Sequence, residues 1–193
     1  LKVGKLGGIR TLHADFGFLP KIKDPDGRLF NPKLAGGSLL DLGIYPVSLA
    51  SMVLGKPSAL QTLANMGDTG VDEQAAWIFR YPTGALAMLL SSLECETRQE
   101  AFLAGTLGNV RIHKQCWKPQ KMTFIETNGD KHETVEMPFE GNGFNYEAES
   151  FGTLWLEGKK ESPIMPLNES LEIMKQMDQI RKEWPLIYPM DSE

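Results

Sequence analysis

Across residues 58–137 the apolar positions come in short runs, each broken by turn residues before a helix could complete three turns. The runs fall at 60–66, 74–81, 85–93, 100–104, 109–113, 122–126 and 134–137, and an earlier stretch, 9–18, mixes β-branched and aromatic residues in rough alternation. Short half-apolar runs between turns are strands. The breaks at Tyr81-Pro82-Thr83-Gly84 and Asn128-Gly129-Asp130 have hairpin length and hairpin residues, whereas parallel strands need connections of a dozen residues or more. A mostly antiparallel meander is therefore predicted, and such a sheet must bury one face under another layer.

Helical segments supply that layer. Residues 38–54 carry Leu39, Leu40, Leu42, Ile44, Val47, Leu49, Ala50, Met52, Val53 and Leu54 at helical spacing, with Gly55 and Pro57 as the stop. Pro46 has no N–H and disfavours the helical conformation at Tyr45, so the segment should break or kink at Tyr45 with Pro46 opening its second part. Two more helices close the chain, 146–157 ended by Gly158, and 168–184 with Asn168 as N-cap. The expected fold is a single α+β domain over residues 1–193: an open-faced, mostly antiparallel sheet with helices on one face.

Composition narrows the function. The chain has 193 residues, 41% of them hydrophobic, and a formal net charge of -5 from 20 Lys+Arg against 25 Asp+Glu. No basic run exceeds a pair such as Lys159-Lys160, which speaks against a nucleic-acid partner. No stretch is expected to reach the roughly 18 apolar residues of a membrane span, and no signal peptide opens the chain, so the cytoplasm is the expected compartment. Cys95 and Cys116 form no CxxC, and His13, His113 and His132 are scattered, so reduced structural thiols and no metal site are expected. Residue 1 is Leu, and residues 1–8 read as the end of one element running into a strand, which points to a start inside a longer protein.

The chemistry concentrates in Asn31-Pro-Lys-Leu-Ala-Gly-Gly-Ser-Leu-Leu-Asp-Leu-Gly-Ile-Tyr-Pro-Val-Ser48. Gly36 and Gly37 remove side chains where a ligand could approach the backbone, and Asp41 and Tyr45, four apart, fall on one helical face. Alcohol oxidation by hydride transfer needs a base for the hydroxyl proton, and a tyrosine can serve if a cation lowers its pKa from about 10. A packing glycine pair and a tyrosine with a buried ring remain the plain alternative. Phe16, Phe18, Asn142 and Phe144 could line a sugar or aromatic diol site, against a simple core role. Asp72-Glu73 opens a strand and reads as solvated or structural, and Trp184 with Tyr188 as packing for the last helix.

The segment AGGSLLDLGIYPVS resembles the GGGxxxDxGxH/Y signature of the glucose-fructose oxidoreductase, inositol dehydrogenase and MocA family (Gfo/Idh/MocA). It matches the Tyr-containing variety found in dihydrodiol dehydrogenases and NADP-linked xylose dehydrogenases, and departs from it at Ala35, where the first Gly is usual. ADFGF at 14–18, GVDEQ at 70–74, GTLGNVRI at 105–112, NYEAESF and the closing ESPIMPLNESLEIMKQMDQIRKEW extend the resemblance along the chain. It implies the C-terminal domain of a two-domain NAD- or NADP-dependent oxidoreductase, with a glyceraldehyde-3-phosphate dehydrogenase-like sheet domain acting on a sugar, polyol or dihydrodiol. Carried over, Tyr45 takes the place of the acid/base and Asp41 that of the substrate-contacting Asp, with Gly36 and Gly37 at the cofactor. The family's Glu-Lys-Pro lysine has no counterpart in this chain, and Gly105-Thr106-Leu107-Gly108 lacks the strand-to-helix context of a phosphate loop. The Rossmann domain is thus expected outside this chain, which alone should be inactive, and a homodimer through the sheet face is expected. The rival reading is a non-catalytic binding and dimerisation module.

Overall fold

The computed structural model describes residues 4–127 and 131–192. Its eight strands form one sheet in the order β2-β3-β4-β1-β5-β6-β7-β8. They are β1 (Ile9–Gly17), β2 (Ala59–Met66), β3 (Asp72–Arg80), β4 (Leu86–Ser92), β5 (Ala101–Gly105), β6 (Gly108–Ile112), β7 (Lys121–Glu126) and β8 (His132–Glu136). Each lies within about two residues of its predicted run, the usual uncertainty of an element's ends. The Asn128-Gly129-Asp130 turn lies outside the described residues, but Ile125 pairs with His132 on either side of it.

One pairing departs from the meander. β1 inserts at the centre, antiparallel to β5 and parallel to β4, with His13 opposite Met88. The long connection that a parallel pair demands is supplied by the first helix and the β2–β3 hairpin. The consequence is positional: the end of β1 and the start of that helix meet at one corner of the sheet.

Side-chain alternation gives the sheet two unlike faces. Leu12, Ala14, Ala75, Trp77, Phe79, Ala87, Leu89, Ala101 and Leu103 are buried, and they join Val47, Ala50, Ile173, Met177 and Ile180 in one core. Those last residues come from α1 (Ile44–Leu54) and α3 (Leu167–Arg181), which cover this face. The opposite face is open, and the strand register sets Gln61, Ile78, Met88, His13, Phe102 and Arg111 in one row across it.

Four local expectations need correction. The helix does not break at Tyr45: a π-helical turn over Leu39–Gly43 runs straight into α1, with the Ile44 N–H reaching back five residues to the Leu39 carbonyl. The widened turn falls where Pro46 has no N–H to give, so the proline is accommodated as the third residue of α1. Asn168 is not the N-cap of α3; Pro166 is, and the Glu161 carboxylate accepts the Leu167 N–H at 2.9 Å from outside the helix. The remaining helix, α2 (Phe144–Leu156), buries no residue and leaves Phe144, Phe151, Trp155 and Leu156 exposed instead of packing on the sheet. Finally, Pro32–Leu54 does have the length and hydropathy of a membrane-crossing segment. Half of it is buried in the domain, with Leu39, Val47 and Ala50 fully covered, as a core helix requires.

Candidate active site

The corner between β1 and α1 is built by a loop with few free choices. The Asp24 carboxylate accepts the Asp26 N–H at 3.0 Å, the Asn31 side chain accepts the Lys33 N–H at 2.9 Å, and Ala35 turns the chain in the left-handed region at φ 55°. Gly36 follows, and a Cβ there would press on the backbone of Leu29 and Asn31. Gly37 has φ +120°, and a Cβ would overlap the Asp72 carboxylate. The glycine pair is therefore accounted for by contacts within the protein.

Asp72 is the keystone of that packing. It is fully buried at the start of β3, where its carboxylate accepts the Ser38 hydroxyl at 2.8 Å and the Leu39 N–H at 2.7 Å. Burial outweighs these bonds and pushes its pKa up to about 6. Glu73 is buried as well and meets Lys23 at 2.6 Å, so the pair is structural and not solvated. From the other side the Tyr188 hydroxyl donates to the Gly36 carbonyl at 2.6 Å, in a buried bond spanning 152 residues of sequence.

On this frame the π turn presents Asp41 and α1 presents Tyr45. The Asp41 carboxylate forms an ion pair and hydrogen bond with Arg28. Tyr45 is 44% exposed, and its ring meets Phe16 edge-on at 5.3 Å between centroids. Phe16 in turn stacks flat on Trp117, 3.7 Å apart and 9° from parallel, and Phe18 lies 6.5 Å from Phe16. Offset and edge-to-face contacts of this kind hold rings in fixed orientations, each worth about 0.5–1.5 kcal/mol beyond the area buried. The phenol thus stands at the accessible edge of an aromatic wall, one helical turn beyond a carboxylate.

Asn142 and Phe144 are placed elsewhere. The Asn142 side chain accepts the Phe144 N–H at 3.1 Å at the start of α2, and Phe144 lines a groove with Phe151, Trp155 and Met165. Two residues that the sequence did not single out do reach the corner. Trp117 arrives on the β6–β7 connection, and its only sequence signal is an aromatic residue set in turn-forming surroundings beside Pro119. Arg28 arrives on the loop before the glycines, where nothing in its neighbours marks it. Among the described residues, no group of three or more His, Cys, Asp or Glu side chains is placed to hold a metal ion.

A family model described as the GFO/IDH/MocA C-terminal domain matches residues 1–111, more than half of the chain. This chain belongs to the GFO/IDH/MocA family. It is 32% identical over 201 residues to the trans-1,2-dihydrobenzene-1,2-diol dehydrogenase of Bos taurus, covering 99% of this chain and 58% of that protein. The human protein of the same name matches at 32% over 200 residues, with the same coverage. Among solved structures, an aldose-aldose oxidoreductase from Caulobacter crescentus crystallised with glycerol superposes with a TM-score of 0.80 at 26% identity, over 94% of this chain and 55% of that one. A levoglucosan dehydrogenase in complex with NADH and levoglucosan shares the fold at a TM-score of 0.77 and 16% identity. The GFO/IDH/MocA chain described here thus spans 58% of the length of these curated relatives. Its motif residues fall where the fold joins β1 to α1.

Proposed function

We propose that this chain is the substrate-side domain of an NAD- or NADP-dependent dehydrogenase, acting on a hydroxyl group of a sugar, polyol or dihydrodiol. The observation that carries the reading is the Tyr45 phenol, accessible at the edge of the Phe16–Trp117 wall and one turn beyond Asp41. The residues present fit the reacting end of such a cofactor and not its phosphates. Gly36 and Gly37 are filled by Leu29, Asn31 and Asp72, so the dinucleotide is held by a further domain, in keeping with the greater length of the relatives. The nicotinamide, when bound, supplies a hydride acceptor.

The chain's own residues do the rest. As the substrate C–H electron pair departs to the nicotinamide, the hydroxyl proton passes to the Tyr45 Oη in its phenolate form, the phenol proton having first been given up to solvent, and the C–O bond becomes a carbonyl. Asp41 orients a neighbouring hydroxyl. Its partner Arg28 is 68% exposed, and an ion pair that open contributes at most about 1 kcal/mol, so a substrate hydroxyl can take its place. The parts of the Phe16–Trp117 wall left outside the stack suit the apolar side of a sugar ring or a cyclic diol. In the full-length protein, Tyr45→Phe should lower kcat by about 10²- to 10⁴-fold with cofactor affinity unchanged. A Phe variant that turns over normally removes the assignment.

The open sheet face supports a second element of the proposal, a homodimer. Ile78, Met88 and Phe102 lie in one row with Leu63 and Leu86 nearby, and an apolar face of this kind is hidden by self-association. Cys95 and Cys116 are free thiols, which suits a cytoplasmic setting.

A further inference from the structure

The segment that delivers Asp41 and Tyr45 is gripped by two residues remote from it in sequence and outside the aromatic wall. We infer that Tyr188, from the C-terminal tail, and Asp72, from β3, are positioning residues that set the register of the Gly36–Leu39 backbone and through it the placement of Asp41 and Tyr45. The inference rests on the dehydrogenase reading above.

Four consecutive residues are held from two directions. The Tyr188 hydroxyl fixes the Gly36 carbonyl, and Asp72 fixes the Ser38 hydroxyl and the Leu39 N–H. Ser38 is tied a second time, to the Ser91 hydroxyl at 2.8 Å on β4. Between these bonds Gly37 leaves no room for a side chain, because a Cβ there would overlap Asp72 and come within 3.3 Å of the Tyr188 hydroxyl. Leu39 begins the π turn, so its N–H is one of the first-turn donors that a helix leaves without an internal partner. Asp72 satisfies that donor from a neighbouring strand and thereby sets where the turn starts. Asp41 stands two residues further on and Tyr45 six.

The tail that carries Tyr188 is itself anchored. Leu186 and Trp184 are buried in the core, Arg181 pairs with Asp191 at 2.6 Å, and the Asp191 carboxylate accepts the Tyr188 N–H at 3.0 Å. The clasp Arg181–Asp191–Tyr188–Gly36 therefore connects the end of α3 rigidly to the start of the catalytic segment. Hydrogen bonds made away from the reacting atoms matter to turnover because a misplacement of about 1 Å can cost up to about 100-fold in rate.

The test is a double-mutant cycle in the full-length protein. Tyr188→Phe removes one hydroxyl, keeps the ring in the core and should lower kcat about 10-fold, with the KM for the nicotinamide cofactor unchanged and the melting temperature lowered by no more than about 4 °C. On a Tyr45→Phe background the same substitution should cost clearly less than about 10-fold, because one of the two groups it positions is gone and only the placement of Asp41 remains. Asp72→Asn, which keeps one oxygen for the Leu39 N–H, should retain more turnover than Asp72→Ala. If Tyr45→Phe abolishes turnover while Tyr188→Phe leaves kcat intact, or lowers it equally on both backgrounds, positioning is overturned and the dehydrogenase reading stands. If Tyr45→Phe itself has no effect, both fall.

Discussion

The two faces of the sheet are made by the same strands, yet they differ in almost every physical respect. On the covered face the apolar side chains join residues of α1, α3 and the C-terminal tail in one core, and the polar groups at its margin, Asp72, Ser38 and Ser91, are linked by hydrogen bonds through Ser38. On the open face, apolar side chains such as Ile78, 43% exposed, and Leu63, 81% exposed, alternate with Gln61, Gln74 and Arg80. In the proposed reading, function divides along the same line. A geometry that must be kept to fractions of an ångström sits at the edge of the covered face, where packing over-determines it, while the open face keeps the area and chemistry suited to association.

Neighbouring residues of β3 offer the sharpest contrast. Trp77 points into the core at 1% exposure, and its ring lies directly beneath Gly43, where a Cβ would come within 3.0 Å of it. Trp77→Ala should therefore destabilise the domain by about 3–5 kcal/mol, read from urea unfolding, and loosen the turn between Asp41 and Tyr45. A cost below about 1 kcal/mol would mean that the covered face is not the rigid one.

A second contrast is set by pH. Asp72 is buried, and its pKa lies near 6 against about 3.9 in an unfolded chain. The folded state binds this proton more tightly, so the contribution is fully present below pH 4 and is lost as the pH rises toward 6. The loss attributable to this carboxyl is about 2–3 kcal/mol. Asp72→Asn carries no such proton, and its stability should change less than that of the parent between pH 4 and pH 7. Parallel curves for the two proteins would show that Asp72 does not titrate in this range.

Much of this arrangement was legible in the sequence. Short apolar runs broken by turn residues marked the strands, because a strand of this sheet spans only five to nine residues, and the Asp41–Tyr45 spacing marked a carboxylate and a phenol one helical turn apart. The glycines were legible as a special backbone, but not their purpose: Gly37 answers to Asp72, 35 residues away along the chain, and no local pattern records that meeting. Trp117 and Tyr188 were invisible as site or frame residues for the same reason, since each arrives from a distant segment by way of the tertiary fold, and Arg28, though only 13 residues from Asp41, carries no local pattern that marks it. The π turn was missed because Pro46 announces a disturbance without saying how the backbone absorbs it. Asn142 and Phe144 were grouped with Phe16 from their position before a helix and the suitability of aromatic faces, but Phe144 opens α2 and lines a groove there, with Asn142 accepting its N–H.

The smallest effect on the stability of the domain is expected on the open face, at the residue next to Trp77. Ile78 sits in the exposed row, between Gln61 on β2 and Met88 on β4, and makes no part of the core. Ile78→Glu should change the unfolding free energy of the monomer by no more than about 0.5 kcal/mol, as exposed substitutions do. In a dimer built on this face it would bring two like charges into a dry apolar contact, which costs several kcal/mol and turns a stable pair into monomers at micromolar concentration. Light scattering of parent and variant across a dilution series separates the cases. A parent that dimerises and a variant that does not would assign the open face to association; two identical profiles would leave that face free for another partner and end the proposal of a sheet-to-sheet dimer.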